Sequence, residues 1–158
     1  MAKVYMETTI PSYLTARISR DIVVAAQQQI TREWIEDAAS QYDLFISEAV
    51  LDECRAGDAN AAVKRLESIE HIPVLKISEE VVNLALSYHK LLDIPDKARV
   101  DAIHLAAAVT YEMDYLLTWN CKHLAHGEIR LKLHRYNAKN GLHEPMIVTP
   151  HELMRRDE

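Results

Sequence analysis

Four polar residues sit where apolar stretches of this chain end or are interrupted: Glu7, Glu53, Asp101 and Asn120. Val4-Tyr5-Met6 runs into Glu7, and Phe45-Ile46-Ser47 opens the helix bearing Glu53. Asp101 breaks into the most apolar helix, and Tyr115-Leu116-Leu117-Thr118 leads to Asn120. Carboxylates with one amide carbonyl suit a hard divalent cation such as Mg²⁺ or Mn²⁺, which takes oxygen from one or two carboxylates, waters and substrate phosphate. The four are far apart in sequence, so this chemistry depends on a fold that gathers them. An open α/β sheet does so, because ligands bind outside the carboxyl ends of its strands.

Strands and helical stretches alternate along the chain, which predicts an α/β fold with a central parallel sheet and helices on its faces. Strands are expected at 3–6, 43–46, 72–75, 115–118 and 146–148. A helix over 21–39 follows from Ile22, Ala25, Ala26, Gln29 and Ile30 at helical spacing. Ser47 is placed to cap a helix over 48–56 that Gly57 ends, and a further helix covers 59–69. Ser78 caps 79–91, with Glu79 and Glu80 at the positive end of the helix dipole. Pro95 forces a break, since the residue before proline is pushed out of the helical region, and a helix restarting at 96 or 97 should last to 113. Thr149-Pro150-His151-Glu152 reads as a capping box opening a short closing helix.

The length of 158 residues suits one domain, and such a chain buries about two thirds of its unfolded surface without disulfide staples. A formal charge of −6 excludes a protein that coats nucleic acid by bulk electrostatics. Any such contact must be local, and the segment from Cys121 to Lys139 supplies one candidate: Lys122, Arg130, Lys132, Arg135 and Lys139 stand against a single acid, Glu128. It reads as a solvated helix face or as an edge that tracks phosphates near Asn120. Cys54 and Cys121 show no pairing pattern and fit reduced thiols in the cytoplasm. No secretion signal and no membrane-length apolar run is found. Three glycines and no Gly-rich phosphate loop argue against nucleotide-binding Rossmann and P-loop enzymes.

Each candidate has a structural alternative. Asp101 lies in a segment apolar nearly all round, where an ionised carboxylate is costly unless paired or metal-bound; Lys97 or Arg99 could pair with it. Glu53 could sit at the edge of a stripe shared with Val50 and Cys54, Glu7 could face a helix dipole, and Asn120 could serve as a turn residue or cap. His104 falls three residues after Asp101, and a core histidine bonded to backbone is the simpler reading than a catalytic base. Cys121, His123 and His126 form a Cys-x-His-x-x-His cluster without a fourth zinc ligand.

Taken in order, these fragments resemble the PIN domains of VapC-type toxins from bacterial toxin-antitoxin pairs. The resemblance covers nearly the whole chain. Val-Tyr-Met-Glu7-Thr8-Thr9 is similar to the first strand and its acid-Thr/Ser turn, and Ile-Ser-Glu-Ala-Val-Leu-Asp-Glu53 to the helix of the second acid. Asp101-Ala-Ile-His-Leu-Ala-Ala-Ala resembles the helix of the third acid, Leu-Leu-Thr118-Trp-Asn120 the final Thr-x-Asp/Asn turn, and Met-Ile-Val-Thr-Pro-His-Glu-Leu the closing strand and helix. The resemblance implies a three-layer α/β/α fold and a Mg²⁺- or Mn²⁺-dependent endoribonuclease, inhibited by a small cognate antitoxin and often a homodimer. It gives Glu7, Glu53, Asp101 and Asn120 the metal site, with Thr8 and Thr118 as supporting hydrogen-bond donors. Two positions depart from the family pattern: Glu7 replaces the usual aspartate, and the neutral Asn120 stands where aspartate is common. The other readings are a PIN-fold module that binds RNA or a protein partner without efficient cleavage, and a small α/β enzyme with a deep apolar pocket.

Overall fold

The computed structural model describes residues 1–156. Five strands form one all-parallel sheet: β1 Lys3–Met6, β2 Asp43–Ser47, β3 Val74–Leu75, β4 Tyr115–Leu117 and β5 Met146–Val148. Their spatial order is β3-β2-β1-β4-β5. The chain therefore steps outward from β1 in one direction, returns across it to β4, and finishes in the other direction. Parallel crossovers are right-handed, so reversing the direction of travel moves the connecting helices to the opposite face. The helices α1 Thr9–Thr15, α2 Ile22–Asp37, α3 Glu48–Arg55 and α4 Ala59–Ser68 join the first three strands, and contacts link α1 with α2 and α4, and α3 with α4. On the return path α5 Glu79–Leu91 packs against α6 Arg99–Thr110, and α7 Gly127–Lys139 joins the last two strands. The expected three-layer α/β/α architecture results. The reversal of strand order falls between β1 and β4, where their carboxyl ends open a crevice.

Strand register follows from burial on both faces. Val4, Tyr5 and Met6 of β1 and Leu116 and Leu117 of β4 are all buried, as expected of central strands covered by helices on either side. The pairing Met6↔Leu117 brings the residues that follow, Glu7 and Thr118, to the same edge of the sheet. Helix α6 is apolar nearly all round beyond its first turn, and Leu105, Ala106, Ala107 and Ala108 are fully buried; the small alanines let it lie close to its neighbours. Among the described residues no helix is long and apolar enough to cross a membrane.

Several boundaries differ from expectation. Residues after Glu7 were expected to form a polar turn, yet they form α1, with Ile10 and Pro11 buried; Pro11 lies in the first turn, where a missing N–H costs nothing. The basic segment contains α7, anchored by Ile129, Leu133 and Asn137 at four-residue spacing. The helix expected from 96 or 97 to 113 begins as a short 3-10 turn, Asp96–Ala98, and α6 ends at Thr110. Its end is closed by Met113 N–H donating to the Ala108 carbonyl and Glu112 N–H to that of Val109, with Glu112 at φ +53. That is a Schellman closure in which glutamate occupies the place glycine usually takes. The third strand is only Val74–Leu75, and the closing capping box, with Thr149 N–H donating to Glu152 Oε1 at 2.9 Å, opens a 3-10 helix, Pro150–Leu153.

The two cysteines differ in environment. Cys54 is fully buried, and burial pushes its thiol up to about 11 despite the nearby Arg65 guanidinium; partial desolvation also raises the Cys121 thiol, but that side chain is exposed and open to reagent. Thiolate is the reactive form, so an aromatic disulfide reagent at pH 8 should modify one thiol of the native protein quickly and the second only on unfolding. Cys121→Ser should remove the fast phase. Two equally fast thiols in the native protein would contradict this burial.

Candidate active site

Glu7 leaves β1 at its carboxyl end and is 3% exposed. A buried carboxylate requires hydrogen bonds. Two hydroxyls supply them: Thr9 Oγ1 and Thr118 Oγ1 each donate to Glu7 Oε1 at 2.6 Å. The same two oxygens accept from the turn after β4, Thr9 Oγ1 from Trp119 N–H at 2.8 Å and Thr118 Oγ1 from Asn120 N–H at 2.9 Å. These bonds fasten the Asn120 turn to the end of β1 and fix one Glu7 oxygen, leaving the other available.

Glu53 reaches the same place from α3, whose start is set by Ser47: its hydroxyl accepts from Ala49 N–H at 3.2 Å as the helix cap. Thr8 occupies the cap position of α1 but makes no cap bond; its hydroxyl donates to Glu53 Oε1 at 2.5 Å instead. His104 Nε2 lies 2.5 Å from the same oxygen. Donor atoms of Glu7, Glu53 and His104 all lie within 4.8 Å of one another. Burial pushes the Glu53 carboxyl upward, but the bond and charge of His104 and the Thr8 hydroxyl outweigh it and hold the group below the ordinary glutamate range. Burial alone would depress His104. The Glu53 hydrogen bond, followed by the charges of Glu7, Glu53 and Asp101, lifts it above the usual imidazole value.

Asp101, in the first turn of α6, stands outside that tight trio but within its field. Burial raises its carboxyl and the Glu7 charge adds to this, while His104, the Asn120 amide and His123 pull it back. Neither Lys97 nor Arg99 forms a salt bridge with it, and among the described residues no Lys or Arg pairs with Glu7, Glu53 or Asp101. Asn120 accepts from His123 N–H through Oδ1 at 3.0 Å, so it holds its own turn while its amide faces Asp101. Glu7, Thr8, Glu53 and Thr118 thus join one hydrogen-bonded neighbourhood around the end of β1, while Asp101 and Asn120 face each other beside it, outside the trio of close ligand atoms.

The chain matches no family model and no curated protein sequence. Solved structures do match in fold. A toxin-antitoxin complex from Klebsiella pneumoniae superposes with a TM-score of 0.58 at 16% identity, covering 93% of this chain and 97% of that one. VapBC2 from Rickettsia felis, bound to a DNA fragment from its promoter, gives 0.58 at 13% identity over 93% and 98%. The sarcin-ricin loop cleaving toxin VapC20 of Mycobacterium tuberculosis gives 0.56 at 16% identity over 78% and 95%. The fold is PIN-like.

Within this PIN-like frame two contributors, Thr9 and Tyr5, were given no role by sequence reading, and a third, His104, was read as a core histidine bonded to backbone. Thr9 shares the Glu7 carboxylate with Thr118, Tyr5 bonds His104, and His104 bonds side chains and not backbone. The signal for His104 was its place one turn beyond Asp101 on α6. The Cys121, His123 and His126 cluster does not assemble: His126 Nδ1 instead accepts from Glu128 N–H at 3.2 Å as the cap of α7. A groove of about 440 Å³ between α5, the end of α6 and Gly141–His143 contains none of Glu7, Glu53, Asp101 and Asn120.

Proposed function

We propose that the chain is a divalent-metal-dependent endoribonuclease acting as the toxin of a toxin-antitoxin pair. The observation that carries this reading is the approach of Glu7 and Glu53, whose ligand atoms lie within 4.8 Å of each other, with Asp101 in the field of Glu7 and no Lys or Arg counter-charge among the described residues. His104 offsets part of the negative charge gathered here, and a bound cation would remove the repulsion that remains among the carboxylates. The donor set fits Mg²⁺ or Mn²⁺: Glu7 and Glu53 each have one oxygen fixed by hydroxyls, which leaves the second to coordinate. Glu7, Glu53 and Asp101 would hold the ion directly or through water, with Asn120 contributing through its remaining carbonyl lone pair or orienting a water. When bound, the ion lowers the pKa of a coordinated water and offsets charge on the scissile phosphodiester.

The remaining work falls to the chain. Thr8, Thr9 and Thr118 orient the carboxylates, and the exposed Lys122, Lys132, Arg135 and Lys139 draw the RNA backbone along α7 toward Asn120. Arg130 is already engaged with Glu152 at 3.6 Å. The toxin structures that share this fold support the antitoxin partner and, for VapC20, RNA cleavage; a homodimer in the cytoplasm and a single domain over 1–158 complete the proposal. A mixed RNA pool incubated with purified protein should be cleaved with Mg²⁺ or Mn²⁺ and left intact with chelator or with Glu53→Gln. Equal cleavage by Glu53→Gln, or none with either ion, refutes the nuclease reading. In the second case RNA retention without turnover would favour the binding module.

A further inference from the structure

The hydrogen bonds that hold Glu53 extend far behind it. From His104 Nε2 at Glu53 Oε1, the path continues from His104 Nδ1 to the Tyr5 hydroxyl at 2.7 Å and from that hydroxyl to Ser47 Oγ at 2.7 Å. Tyr5, Ser47 and His104 are fully buried. Each belongs to an element that carries or precedes an acid. Tyr5 is two residues before Glu7 on β1, Ser47 caps the helix of Glu53, and His104 is one turn beyond Asp101 on α6.

We infer that His104 is a positioning residue: through Nε2 it fixes the Glu53 carboxylate, and through Tyr5 and Ser47 it registers α3 against β1 and α6, so that Glu53, Glu7 and Asp101 form one ligand set. This rests on the nuclease reading above. His104 is poorly placed to be a ligand, because Nε2 is engaged by Glu53 and Nδ1 by Tyr5. Nor does packing alone account for it. Its neighbours on α6 are Leu105, Ala106 and Ala107, all buried, and an apolar side chain of similar volume would fill the place without the cost of burying two ring nitrogens. What the imidazole adds is direction. Glutamate has a long, freely rotating side chain, and a carboxylate already bonded on Oε1 has lost that freedom before any ligand arrives.

Two substitutions of like chemistry and different reach separate positioning from packing. His104→Gln can place an amide N–H near the Nε2 position and keep the bond to Glu53, whereas His104→Asn reaches only the Nδ1 position. Mn²⁺ titration by calorimetry should give His104→Asn an affinity weakened by roughly 10–100-fold, the usual effect of losing a partner behind a metal ligand, with His104→Gln recovering most of it. For RNA cleavage, kcat should fall in His104→Asn while KM stays near the wild-type value. Tyr5→Phe, which breaks the far end of the path and removes one oxygen, should weaken Mn²⁺ measurably and decides the matter if His104→Asn does not fold. Pulsed EPR of the wild-type Mn²⁺ complex should show no directly bonded nitrogen. Equal Mn²⁺ affinity in wild type and His104→Asn, or in wild type and Tyr5→Phe, overturns the positioning role alone, as does a directly bonded nitrogen that His104→Gln removes. A wild type that binds no Mn²⁺ and cleaves no RNA overturns the nuclease reading and this inference together.

Discussion

In chelator at pH 7, Asp101→Asn should melt at a higher temperature than the wild type, and added Mn²⁺ should reverse the order. Burial first, and then the Glu7 charge, raise the Asp101 carboxyl above its ordinary value, so the folded state holds the ionised form at a disadvantage relative to the unfolded chain. That disadvantage is complete above the folded-state pKa and disappears as pH falls toward the unfolded value of about 3.9. The gain from Asp101→Asn should therefore be largest near neutrality and shrink on acidification. With Mn²⁺ at about a hundred times its dissociation constant, the wild type should gain about 2.7 kcal/mol, or roughly 5–10 °C for a chain of this size. Asp101→Asn should gain little, and its RNA cleavage should fall by more than about a hundredfold, beyond the loss expected for a partner behind the ligands. Equal Mn²⁺ shifts in the two proteins would remove Asp101 from the ligand set.

The parts of the fold legible in the sequence were those with one dominant signal. Apolar runs at β1 and β4 and the caps Ser47 and Ser78 marked their elements because each stabilises its element locally. Helix α1 was hidden because Thr9-Ile10-Pro11 is a poor helix former, and the buried contacts of Ile10 and Pro11 compensate only once the fold is in place. Helix α7 was legible as a solvated basic face but without bounds: its buried stripe is only Ile129, Leu133 and Asn137, and its cap is a histidine. The early end of α6 had no sequence mark, since Glu112 takes a positive φ that usually identifies glycine.

At the candidate site, Glu7 and Asn120 were legible because topology fixes where the ends of β1 and β4 lie. Their partners were not. Which of Thr8 and Thr9 serves which glutamate depends on the turn into α1, and the structure gives Thr8 to Glu53 and Thr9 to Glu7. His104 reads as a core residue because its neighbours on α6 are apolar; its bonding partners, Tyr5 and Glu53, come from elements distant in sequence. A polar residue in an apolar helix is informative only after its partner is known.

The Asn120 turn yields the second large expected effect, through Asn120→Asp. The Oδ1 bond from His123 N–H survives this change, because a carboxylate oxygen accepts as an amide carbonyl does, so the turn should keep its shape. The other side-chain atom changes sign. An amide that helps hold Asp101 down becomes a carboxylate facing it, beside a site that already holds Glu7 and Glu53. The metal-free variant should therefore melt below the wild type. If Asn120 belongs to the ligand set, Mn²⁺ should bind about tenfold tighter; that is about 1.4 kcal/mol, well below the ~4 kcal/mol of one unit-charge pair at 4 Å and an effective permittivity of 20. Cleavage should gain little, since the added charge would also repel the phosphate backbone and the longer Glu7 side chain would already set where a cation sits. Calorimetric titration of Mn²⁺ into both proteins, with melting in chelator alongside, separates the cases. A lowered melting temperature with unchanged affinity would make Asn120 a cap of its turn and nothing more.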